Sequence, residues 1–184
     1  MSTTARPAVD LIRHSSVASP EPHSIRVDYE CAADVLRLRY SLLGTLSRLR
    51  VPQVRAAERT GDLWRHTCCE AFLGFDGAPV YYEFNFAPST QWAVLRFASY
   101  RNGKSAVERV RTPVIEVRRE PERLQLDVTV TLAELGELIG DTRLKLGLAA
   151  VVEAQSGTLS YWALKHPRDH PDFHHPDSFT ITLR

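Results

Sequence analysis

Cysteine is scarce, with three in 184 residues. Cys31, Cys68 and Cys69 show none of the paired spacings of a structural zinc site. The two neighbours point to opposite sides of any strand, so they are poorly placed to chelate together or bridge each other. They read as small buried apolar residues. Net charge is almost absent, +1 from 23 Lys and Arg against 22 Asp and Glu, which removes the electrostatic basis for binding nucleic acid or an anionic membrane. Long apolar runs are absent too. No segment approaches the roughly 18 apolar residues that span a bilayer, and residues 1–24 lack the apolar stretch of a secretory leader, so the expected address is the cytoplasm. There is no Gly-rich phosphate loop, no G-x-S-x-G elbow and no H-E-x-x-H helix.

What is present is two-residue alternation, within a chain whose 43% hydrophobic content suffices for one domain with a substantial core. The stretch 63–101 predicts three consecutive antiparallel strands over 64–75, 80–86 and 92–100, joined at Asp76-Gly77 and at Ala87-Pro88-Ser89-Thr90. Period two groups Trp64, His66, Cys68, Glu70 and Phe72 on one side of the first strand, and Tyr81, Glu83 and Asn85 on one side of the second. In the third, Trp92, Val94 and Arg96 separate from Ala93, Leu95 and Phe97. With Arg96 assigned beside the carboxylates, one face of this meander is apolar and the other is a candidate ligand face.

Further strands are expected over 25–31, 35–43, 46–51, 114–118, 124–130, 143–154, 159–165 and 179–183. The one helical signal, 132–139, opens on Thr131-Leu132-Ala133-Glu134, which fits a capping box. Residues 1–24 read as an extended lead-in that docks one edge, and 25–184 as a single domain. The fold class is therefore all-β: an antiparallel, jelly-roll-like β-sandwich of about ten strands with one short helix.

Glu70, Glu83 and Arg96 need partners if covered, and a mutual Glu–Arg network would supply them. Two carboxylates on neighbouring strands could serve glycoside hydrolysis or simply orient sugar hydroxyls. Trp64 and Trp162 either plug a core or stack on a planar or sugar ligand. The stretch 161–177 holds His166, His170, His174 and His175 among prolines. It reads either as a metal- or haem-ligating segment or as a stiff latch over one end of the sandwich, anchored by Phe173.

The segments LWRHTCCEAFL (63–73), YEFNFAPS (82–89), QW (91–92), SYWAL (160–164) and PDFHHPD (171–177) resemble the bacterial DOMON-like proteins, relatives of the family 9 carbohydrate-binding modules. The likeness covers roughly residues 25–183. It implies a jelly-roll-like sandwich from a superfamily that binds sugars or haem. On the sugar branch Trp64, Glu70, Glu83, Asn85, Arg96 and Trp162 are counterparts by type, with His66 on the same face. The haem branch uses a Met and a His, and the only methionine here is Met1. Its ligands would instead be His66 or the histidines His166, His174 and His175. The resulting expectation is a non-enzymatic module for a small polar ligand, a carbohydrate or sugar-containing metabolite, needing no cofactor; the alternative is a haem- or metal-binding protein.

Overall fold

In β3 (Val35–Leu43) the side chains of Leu36, Leu38, Tyr40 and Leu42 are buried while Arg37, Arg39 and Ser41 stay partly exposed. β9 (Arg123–Thr131) pairs with it so that Leu36, Leu38, Tyr40 and Leu42 face Val130, Val128, Leu126 and Leu124. The two apolar sets coincide, and a slip of one residue would send both to solvent. β2 (Ser24–Ala32) lies on the other side of β3, and β8 (Val114–Glu120) forms the outer edge beyond β9. The computed structural model describes residues 6–19, 21–135 and 143–183.

A second sheet is built on the predicted meander, observed as β4 (Cys68–Phe75), β5 (Tyr81–Phe86) and β6 (Trp92–Phe97). The two-residue β7 (Ser105–Ala106) pairs with β6. On the opposite flank β4 pairs with β10 (Leu144–Glu153), which also takes β11 (Leu159–Ala163) and β12 (Ile181–Leu183). The sheets are joined by β1 (Ala8–Arg13), whose residues Ala8–Leu11 pair with β2 and Ile12–Arg13 with β11. The lead-in thus contributes a strand between the two sheets instead of docking on one edge. Among the described residues all twelve strands form one curled antiparallel sheet, folded over as a β-sandwich. Its interior holds Tyr40, Leu73, Phe84, Phe86, Leu126 and Leu146 among others.

β4 and β5 are buried on both faces. Outside the main core a smaller apolar layer gathers Phe72, Tyr81, Phe97, Ala149, Val151, Ala163 and Phe173. Phe179 stacks on Phe72 and reaches the sheet because residue 147 is glycine: a Cβ there would stand 2.6 Å from the Phe179 ring.

Three local expectations are corrected. Residues 46–51 form a 3-10 turn, Leu46–Arg48, and then a single bridge from Leu49 to Ala154. The chain before β4 is a 3-10 turn, Leu63–Arg65, entered through Asp62 at φ 57°. Alternation over four or five residues does not distinguish a strand from such a turn. Within the expected helix, Ala133–Leu135 is a 3-10 turn; residues 136–139 lie outside the described residues. Among the described residues there is no α-helix, and no helix is long and apolar enough to cross a membrane.

Candidate functional site

The outer face of the second sheet holds a cleft of about 480 Å³. Its floor comes from strands: Glu70 on β4, Glu83 on β5, Val151 on β10 and Tyr161 on β11. Its walls come from loops: Trp64 before β4, Arg101 and Lys104 after β6, and Phe173 and His174 from the segment before β12, with Phe97 at the end of β6. Antiparallel register explains the floor. Glu70 pairs with Asn85 and Phe72 with Glu83, so the two carboxyls are diagonal neighbours on one face, Asn85 beside them.

Both carboxyls are almost completely covered, Glu70 at 3% exposure and Glu83 at 4%. Burial raises the Glu70 pKa well above the carboxylate range, and the charge of Glu83 raises it further. Burial also raises that of Glu83, against a lowering hydrogen bond of 2.6 Å from Asn85 Nδ2 to Glu83 Oε1 and the cations Lys104 and Arg101. Among the described residues Glu70 Oε1 has no hydrogen-bond partner. Its backbone oxygen accepts from Tyr40 Oη, tying this strand to the opposite sheet.

The segment over the cleft is held by Asp172, itself buried. Asp172 accepts two hydrogen bonds from Arg101, at 3.1 and 2.8 Å, and one from Tyr100 Oη. Burial alone would raise its pKa, but these donors outweigh burial and hold it below the ordinary value. Arg101 occupies the left-handed region at φ 53°, a conformation that side chains rarely adopt, and there its backbone N–H reaches Tyr81 Oη at 3.2 Å. Next to this clamp, His174 packs edge-on to Phe72, Tyr81 and Phe97. Burial, with Arg101 close by, lowers its pKa to about 4, so the ring is neutral at pH 7.

Of the residues singled out in the sequence, Trp64, Glu70 and Glu83 line the cleft, and Asn85 orients Glu83. Arg96 does not join them. It pairs with Tyr82 while Phe97 pairs with Tyr81, which puts Arg96 on the opposite side of β6 at an exposed position. The expected Glu–Arg network is therefore absent among the described residues, and a carboxyl pair with an amide stands in its place. Trp162 pairs with Ala150 and is buried in the main core, its indole N–H donating to Ser160 Oγ. His66 leaves the strand and bonds Glu153 Oε2 through Nδ1 at 2.7 Å, beside the Arg50–Glu153 ion pair.

The histidines of the haem or metal alternative have separate partners. His166 Nε2 meets the Ile12 carbonyl, His174 Nδ1 meets Tyr81 Oη, and the His175 ring accepts from the Asp177 N–H. Among the described residues no three or more His, Cys, Asp or Glu are grouped to hold a metal ion. The residues that sequence reasoning missed are Arg101, Lys104, Tyr161 and Asp172. The only signal for Asp172 was its place next to Phe173 in a proline-stiffened segment.

No family model matches the chain, and no curated protein matches it. Among solved structures it is similar to a candidate carbohydrate-binding protein from Bacteroides uniformis, with a TM-score of 0.69 at 13% identity, over 95% of this chain and 84% of that one. It is also similar to a family 9 carbohydrate-binding module from Caldicellulosiruptor kristjanssonii in complex with cellotriose, with a TM-score of 0.51 at 12% identity, over 85% of this chain and 72% of that one. At these identities the likeness is one of fold.

Proposed function

We propose that this protein is a carbohydrate-binding module of the DOMON-like kind, which holds a sugar or a sugar-containing metabolite in the cleft without catalysis of its own. The observation that carries the reading is the make-up of the cleft. Aromatic rings, Trp64 and Phe173 in the walls and Tyr161 in the floor, accompany the floor carboxyl groups, the combination that covers the apolar faces of a pyranose while bonding its hydroxyls. The neighbours in fold, one described as a candidate carbohydrate-binding protein and one holding cellotriose, support the same reading.

Binding is favoured over hydrolysis by the placement of the acids. Glycoside hydrolysis sets its two carboxyls on either side of the scissile bond. Here Glu70 and Glu83 rise from adjacent strands of one floor and meet a ligand from below. Titration calorimetry against mono- and oligosaccharides tests the proposal. Heat is expected for at least one sugar, with affinity reduced in Trp64→Ala and Glu83→Gln. Silence across the panel, or turnover of a glycoside abolished by Glu70→Gln, contradicts it.

A further inference from the structure

We infer that the ligand carries a protonated amine, and that the class of sugar this cleft selects is an amino sugar with a free ammonium group. This rests on the carbohydrate reading and adds the group that the floor recognises.

The argument begins with the acceptors. Glu70 lines the cleft, is all but fully buried, and its Oε1 has no hydrogen-bond partner among the described residues. Glu83 Oε1 accepts from Asn85, and Glu83 Oε2 lies 3.7 Å from His174 Nε2. Two acidic side chains thus offer acceptors at one spot. An uncompensated buried acceptor is costly, so a ligand that brings donors there gains most. An ammonium brings three donors and a hydroxyl only one.

The charges point the same way. Burial and the charge of Glu83 hold the proton on Glu70, so ionising both floor acids calls for a further cation. Arg101 is engaged by Asp172, and Lys104 supplies one positive charge. Ionising both acids would therefore leave one negative charge unmatched. A neutral sugar leaves that mismatch to be met by a proton shared between the acids, whereas an ammonium meets it directly and lets both serve as charged acceptors. The surroundings suit a cation as well. Trp64, Phe97, Tyr161 and Phe173 line the cleft, and aromatic faces attract an ammonium where water is excluded. His174, uncharged at neutral pH, adds no repulsion.

Three β-1,4 trisaccharides, of glucose, of glucosamine and of N-acetylglucosamine, share one skeleton and differ only at C2. Calorimetry at a pH of about 6, where a sugar amine is protonated, is expected to show the glucosamine trimer binding about tenfold or more tightly than the other two, the worth of one charge-assisted hydrogen bond. Glu70→Gln and Glu83→Gln, near-isosteric and checked for folding by thermal melts, should each reduce that preference. Should either variant fail to fold, the other carries the comparison. Equal binding of all three, or tighter binding of the glucose or N-acetyl trimer, overturns the amine and leaves carbohydrate binding standing. No heat from any of them, or from other sugars, removes both.

Discussion

Tyr81 Oη and His174 Nδ1 are 2.8 Å apart, a contact that ties the covering segment to β5. Tyr81 Oη accepts the Arg101 N–H, so its own hydrogen is free to be given to His174 Nδ1. The ring hydrogen then sits on Nε2, on the side of Glu83. Protonating His174 would put a second hydrogen on Nδ1, opposite a hydroxyl that must turn away, in a site lined by Arg101.

The first prediction follows from that arrangement. His174 has a folded pKa of about 4 against an ordinary 6.5. Between these values the unfolded chain binds more protons, so this contribution to stability is complete above pH 6.5 and is lost as the pH falls towards 4. Its size is on the order of 3 kcal/mol. Denaturant melts of the wild type and His174→Gln should converge over that window as acid is added, the wild type losing more. A constant difference from pH 7 to 4 would contradict the assignment.

Glu70 has the opposite sign. Burial and Glu83 raise its folded pKa, so the native state holds the proton more tightly than the unfolded chain, and stability falls as the pH rises from the unfolded value. Glu70→Gln removes an acid that resists ionising. The variant is expected to melt at a higher temperature than the wild type at pH 7 to 8, by a margin that shrinks towards pH 4, while binding ligand less well. A variant less stable than wild type at every pH would mean that Glu70 has a partner in the native protein.

The two tryptophans should separate binding from stability. Trp64 is 43% exposed at the cleft and Trp162 is 4% exposed in the core. Trp162→Ala is expected to cost about 3–5 kcal/mol of folding stability. Trp64→Ala should cost under about 1 kcal/mol, in the range of surface changes, yet weaken sugar affinity. Chemical melts and calorimetry on the same two preparations provide the check.

Gly147→Ala probes the layer beneath the covering segment. The added Cβ would meet the Phe179 ring at 2.6 Å and the Phe72 Cβ at 3.4 Å, so Phe179 must shift. A loss of about 1–3 kcal/mol is expected, the usual cost of overpacking, with a smaller loss when Phe179→Leu is made in the same chain. An unchanged melting temperature in the single variant would show that the ring moves freely.

Much of this molecule is written in period-two patterns that any stretch of the chain carries locally. Leu36, Leu38, Tyr40 and Leu42 against Leu124, Leu126, Val128 and Val130 announced a sandwich, and Glu70, Glu83 and Asn85 stood out as polar groups in strands otherwise rich in large apolar side chains. Period alone orders side chains within a strand; it does not say which side of one strand matches which side of the next. That is set by hydrogen-bond register, and register placed Phe97 instead of Arg96 beside Tyr81 and turned Trp162 into the core. The rest of the cleft comes from loops distant in the chain. Asp172 meets Arg101 across 71 positions, and His174 meets Tyr81 across 93. The local chain determined strands, their buried faces and the carboxyls, because alternation reflects burial directly. Only the closed sandwich decided that Glu70 lacks a partner among the described residues and that the His174 ring is neutral, because both depend on how much water the surrounding loops exclude.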